Sequence, residues 1–318
     1  MLKFHQDVRL RIGDVIVQYR LINKDTPVVI TFPPGSEWIT EQETNEQVKL
    51  WGFDFFKKQQ INVISFIHIG QDDYFRSIEL QNFIKQLGKF IAMFPDKIGY
   101  GSSRGGFAVS LHANALGLDR ALLLMPLSTY SSELAPWDPK VIKVDKATKY
   151  SGYNKDASGC KIPLTIIYDP LNKFDRLHVK RYSCQIQKLK FPGIGHRIAR
   201  GLQDLGLLKK VVIDFVHDEL DVDAFPRLIR NRRNLSYYHK GMSSNATGKL
   251  TLRRKKVIYY HKLMWKLKHI EDEPRKVATK LRDSLLKRID ESKKFLIQSN
   301  TFLSVKLFVM ANLVVFCL

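Results

Sequence analysis

The residues best suited to chemistry lie in the stretch IGYGSSRGGFAVSLHANALG, residues 98–117, where Gly101-Ser102-Ser103-Arg104-Gly105 has the spacing G-x-S-x-G. A serine at a sharp strand-to-helix turn is held in a strained backbone conformation with its hydroxyl presented, and the flanking glycines remove side chains that would collide there. Ser103 is therefore the candidate nucleophile, and Ser102 occupies the variable position. The N–H of Arg104, at the start of the following helix, would point toward a developing oxyanion. A serine hydroxyl is a poor nucleophile until a histidine takes its proton, and the histidine needs an acid to fix its tautomer. His196, in FPGIGHRIARGL, supplies the base; the segment IIYDPLNKFDRLHV supplies two carboxylates. Asp175 lies beyond a strand end in a loop able to reach the histidine and is favoured as the acid. Asp169, at the strand end itself, is the alternative and could equally cap or turn the chain. His178 reads as a helix-face residue, because the order Ser, Asp, His selects His196.

These residues need a scaffold, and the hydropathy pattern supplies one. VRLRIGDVIVQYRL alternates about Gly13-Asp14 as a hairpin of half-buried strands would. Then come PVVITF, INVISFI, KIGYG, ALLLMP, PLTIIYD and CQIQKLKF, short apolar runs of the kind buried on both faces of a sheet. Segments of helical length separate them, so right-handed crossovers and a mostly parallel sheet with helices on both faces are expected. Alternation alone would fit a Rossmann-like or flavodoxin-like sheet equally well.

The serine turn GSSRGG, the acid loop YDPLNKFDRLH and the histidine loop GIGHR decide between them, and over residues 5–210 the chain resembles an α/β-hydrolase. That resemblance implies a mostly parallel sheet opened by an antiparallel strand, acyl transfer through a serine ester, and no cofactor. The chain is also similar in texture to small hydrolase-like proteins of bacterial surface-glycan and glycoprotein pathways. The family takes a second oxyanion donor from the loop after the third strand, here TFPPGSEW, where Pro33 and Pro34 have no N–H to offer. Phe32, Gly35 or Ser36 would have to serve. The interval where such enzymes carry a lid, residues 127–161, is short and polar, and its Tyr130, Trp137, Tyr150 and Tyr153 could form a platform for a sugar or simply pack the loop. A small polar ester, or an ester on a glycan, is the expected substrate. The rival reading is a catalytically silent fold that binds a partner protein or polyanion.

Net charge is +21 over 318 residues, and its location matters. Between Arg227 and Lys268 there are thirteen Arg and Lys and no Asp or Glu, interleaved with Tyr237, Tyr238, Tyr259, Tyr260 and Trp265. Such a surface attracts anionic lipid headgroups or acidic glycan; no recognised nucleic-acid motif accompanies it, and a solvated helical appendage is the plain alternative. The expected organisation is a hydrolase domain over residues 1–210 and a basic, mainly helical extension over 211–318. The last run, from Phe302, contains 17 residues including Lys306, at the short edge of a membrane span. Cys160, Cys184 and Cys317 have neither metal-ligand spacing nor an even-numbered framework, which suits a reducing compartment and argues against a zinc site. The N-terminal MLKFHQDVRLRIGDV lacks the layout of a secretory signal, so a cytoplasmic protein, peripheral to the membrane at most, is the expectation.

Overall fold

The computed structural model describes residues 3–45, 48–70, 74–147, 154–244 and 250–268. The strands are β1 (Asp7–Ile12), β2 (Val15–Arg20), β3 (Val28–Phe32), β4 (Asn62–His68), β5 (Lys97–Ser102), β6 (Arg120–Leu124), β7 (Leu164–Tyr168) and β8 (Ile186–Lys190). The helices are α1 (Phe53–Lys58), α2 (Ile78–Ile91), α3 (Arg104–Leu116), α4 (Pro139–Ala147), α5 (Lys173–Arg181), α6 (Ile198–Asp204), α7 (Leu208–Val216), α8 (Phe225–Leu228), α9 (Tyr238–Ser244) and α10 (Leu252–Lys268). Each apolar run of the sequence is a strand. The sheet order is β1-β2-β4-β3-β5-β6-β7-β8, with β2 antiparallel to β1 and β4 and the remaining pairs parallel. This is the α/β-hydrolase architecture that the sequence implies.

Alternate side chains of the central strands feed two cores. Ile30, Phe32, Phe66, Ala121 and Leu123 face α2 and α3, while Val29, Val63, Ile98, Leu122 and Ile167 face the other layer. Period two within an unbroken apolar run means that both faces are covered. On the first face Phe32 stacks on Phe66 with ring centroids 4.4 Å apart and meets Phe75 edge-on at 5.0 Å. Helix starts are locally encoded: the Ser77 side chain accepts from Leu80 N at the start of α2, and Asn172 accepts from Phe174 N and Asp175 N at the start of α5. β8 is an edge strand with only Leu189 fully buried, and its run is accordingly broken by Gln187, Lys188 and Lys190.

The boundary expected after residue 210 is corrected. Val211, Val212, Phe215 and Val216 of α7 are buried, as are Phe225, Ile229 and Tyr238 further on, and all belong to the core on the second face. Arg120, at the start of β6, donates to Phe215 O and Val216 O while pairing with Asp96 at 2.6 Å, so α7 is tied to the sheet at its C-terminus. Contacts place residues 1–258 in one compact unit and 259–318 in another. Of the second unit only residues 259–268, the end of α10, are described. Within the basic segment, Arg227, Arg230, Arg233 and Arg253 to Lys256 are exposed. The tyrosines interleaved with them divide: Tyr237 donates to Asp204 Oδ2 at 2.9 Å and Tyr238 is buried, whereas Tyr259 and Tyr260 are exposed. Among the described residues no helix is long and apolar enough to cross a membrane. The run from Phe302, Cys317, Tyr150 and Tyr153 lie outside the described residues.

Candidate active site

β5 ends at Ser102 and α3 begins at Arg104, so one residue turns the chain. That residue is Ser103, with φ 54° and ψ −112°, outside the regions where L-residues are comfortable. The strained turn is held from several sides. Ser103 N donates to Leu124 O at 2.8 Å, and Ser103 O accepts from Phe107 N and Leu127 N, each at 3.2 Å. A Cβ on Gly101 would sit 2.5 Å from the Gly105 carbonyl carbon, and one on Gly105 would overlap Phe32 O. The turn therefore requires both glycines.

Ser103 Oγ lies 2.8 Å from His196 Nε2, and His196 Nδ1 lies 2.6 Å from Asp175 Oδ1. A carboxylate can only accept, so Nδ1 carries the imidazole proton and Nε2 is left to accept from the serine. Asp175 is 2% exposed on the first turn of α5, and its Oδ2 is buried without a hydrogen-bond partner. The expected trio Ser103, Asp175 and His196 is thus brought together from β5, α5 and the loop after β8.

Asp169 has a different place. It accepts from Gly193 N at 3.0 Å, Gly195 N at 2.6 Å and Leu171 N at 2.8 Å, and so shapes the loop that carries His196. Burial pushes its carboxyl up from the usual carboxylate range, and the three backbone donors pull the other way. The same loop is held on its far side by α9, where Tyr238 and Gly241 press on Gly193.

His178 is more than a helix-face residue. Its Nδ1 accepts from Ser128 N at 3.0 Å, which leaves Nε2 protonated and donating to Asp138 Oδ2 at 3.0 Å. Ser128, His178 and Asp138 imitate a Ser-His-Asp trio, yet each is at most 2% exposed and none lines the cleft. They join α5 to the start of α4. Trp137, offered by the sequence either to a sugar platform or to loop packing, packs edge-on against His178 at 4.6 Å and lies parallel to Phe174. Tyr130 is buried, with Phe107 at 4.5 Å.

Ser103 and His196 open into a cleft of about 590 Å³. One wall is the loop Pro34-Gly35-Ser36, another is α4 through Lys140, Val141, Lys143 and Val144, and Met125 and Leu127 line it too. Gly35 and Ser36 are therefore within the cleft, whereas Phe32 ends β3 with its ring in the core and does not line it. Tyr74 donates its hydroxyl to Pro33 O, fixing the proline pair, and burial holds that phenol well above its usual range. Arg104, at the first position of α3, has a backbone N–H with no intrahelical acceptor. Sequence reasoning missed α4, with Lys140 and Lys143, as a cleft wall. The i, i+1, i+3, i+4 spacing within PKVIKV was the available signal, although nothing in it names the cleft.

No family model and no curated protein matches the sequence. Among solved structures, the chain is similar to the capsule O-acetyltransferase of Neisseria meningitidis serogroup A, at 12% identity over 66% of this chain and 93% of that one, with TM-score 0.43. It is likewise similar to Est1E from Butyrivibrio proteoclasticus, at 13% identity over 67% and 98% of the two chains with TM-score 0.44. An α/β serine hydrolase homologue from Coxiella burnetii matches at 10% identity over 69% of this chain and 100% of its own, with TM-score 0.40.

Proposed function

We propose that this chain is a serine-dependent esterase or O-acyltransferase acting on a small polar ester. The supporting observation is the unbroken relay from Ser103 Oγ through His196 to Asp175, with distances of 2.8 and 2.6 Å, at the floor of an open cleft. As Oγ attacks the acyl carbon, its proton passes to His196 Nε2. The carbonyl π-pair moves onto oxygen, and the resulting oxyanion faces the Arg104 N–H, with Gly35 or Ser36 as second donor. Asp175 stabilises the imidazolium without taking its proton. On collapse the leaving alkoxide receives the proton from Nε2, and the acyl group stays on Ser103. A second nucleophile then gives its proton to His196 and takes the acyl group. Water makes the chain an esterase; a sugar or other alcohol hydroxyl makes it an acyltransferase.

A fluorophosphonate probe tests the reading. Wild-type protein and Ser102→Ala should be labelled, and Ser103→Ala should not. Labelling retained in Ser103→Ala and lost in Ser102→Ala would move the nucleophile. Absence of labelling in the wild type would favour the silent binding fold.

A further inference from the structure

Three cationic side chains, Arg104, Lys140 and Lys143, line the cleft, and among the described residues no carboxylate does. Among the described residues none of the three has an ion pair. Of the nearby acids, Asp138 is buried on His178, with the Lys140 charge also acting on it, and Asp145 accepts from Lys155 Nζ at 2.7 Å and from Ser132 N at 2.8 Å and Oγ at 2.7 Å; Glu37, exposed near Tyr74, makes no ion pair with any of the three. The Arg104 guanidinium lies beside the paired rings of Tyr74 and Tyr130, 5.1 and 5.4 Å from their centroids, which fixes its direction while leaving its N–H groups without a carboxylate among the described residues. Tyr130 lines the same cleft and keeps a buried hydroxyl with no hydrogen-bond partner. Unpaired cations gathered in a concave, partly apolar site raise the local concentration of anions and hold them there.

We infer that the substrate carries an anionic oxyacid group, phosphate or carboxylate, held by Lys140, Lys143 and Arg104 while its ester lies against Ser103. The inference rests on the proposed ester chemistry for the second half of that statement only. The anion site itself can be tested without turnover. Binding of phenyl phosphate, benzoate and neutral benzyl alcohol to the full-length chain is measured by titration calorimetry. The comparison is between wild type, Lys140→Met/Lys143→Met and Lys140→Arg/Lys143→Arg. Both lysines are exposed, and Asp138 and Asp145, which anchor α4, are untouched, so an unchanged unfolding midpoint is expected.

Wild type should prefer at least one anion over benzyl alcohol; the methionine pair should bind it about tenfold more weakly, as two screened charges would dictate, and the arginine pair should keep it. A preference for phenyl phosphate assigns a phosphate substrate and one for benzoate a carboxylate. The inference is overturned if wild type shows no preference for either anion, or if the methionine pair binds them as wild type does. Anion binding that disappears with the lysines in a protein that no fluorophosphonate labels would retain the anion site and reject the ester chemistry.

Discussion

Ser103 and Asp175 act through His196, so their substitutions should differ in kind. Asp175→Asn leaves a group that can donate to Nδ1, which turns the imidazole so that Nε2 carries the proton and cannot accept from Ser103. Turnover of a small acetyl ester should fall by about 1,000-fold or more, with fluorophosphonate labelling slowed in parallel. Asp169→Asn should do less to the chemistry and more to the loop, because the amide oxygen can still accept from both Gly193 N and Gly195 N while the amide NH2 faces Leu171 N and loses that bond. Equal losses in the two variants would count against Asp175 as the acid. His112 offers a test of the core behind this site. Its imidazole is buried on α3, lies 2.7 Å from Phe75 O, and is pushed down to about 4 by burial. A folded value below the unfolded value of 6.5 means that the unfolded chain binds the extra proton first. The stability this residue contributes is complete above pH 6.5 and is lost as pH falls through 4, with a span of about 3 kcal/mol. Denaturant midpoints should therefore fall more steeply between pH 6.5 and 4 in wild type than in His112→Gln; parallel curves would show that the ring is not buried neutral.

At the scale of elements, what matters is how loops and helices aim the trio. The loop bearing His196 is clamped between the Asp169 carboxylate and α9, where a Cβ on Gly241 would overlap the Gly193 carbonyl oxygen. Gly241→Val should push α9 away and loosen the loop, costing about 1–3 kcal/mol in stability, as overpacking does. Turnover should fall about tenfold through misplacement of His196, although residue 241 touches no reacting atom. Unchanged kinetics in this variant would remove α9 from the positioning machinery. This support could not be read from the sequence. The strands could, because β3 to β7 are short apolar runs and β1 and β2 alternate about a turn, and so could the serine turn, because its two glycines are required by close backbone approach. By contrast, α9 and the wall formed by α4 are short segments whose partners lie far away in sequence. The role of Asp138 was hidden for the same reason: His178 and Asp138 meet across 40 positions, and no local pattern announces the pair.

For the whole molecule, the arrangement of charge and core decides where the chain can be divided. A chain ending at residue 210 would lose Val211, Val212, Phe215, Val216 and Phe225 from the second-face core and leave Phe191 and Ile198 uncovered. Each such side chain is worth about 1.5–3 kcal/mol when buried, more in total than a marginally stable domain can lose. That truncation should be insoluble. A chain ending at Ser244 keeps this core together with α9, so it should fold and be labelled at Ser103. It also lacks Arg253, Arg254, Lys255 and Lys256, which are exposed in the intact chain and have no acidic residue among them. If these side chains bring the protein to anionic membranes, full-length protein should sediment with anionic vesicles and the Ser244 truncation should not. Binding should weaken as added salt shortens the Debye length to about 8 Å and below. Equal binding to neutral and anionic vesicles would defeat the electrostatic account and transfer the role to the apolar run from Phe302, for which removal of residues 302–318 alone would abolish binding.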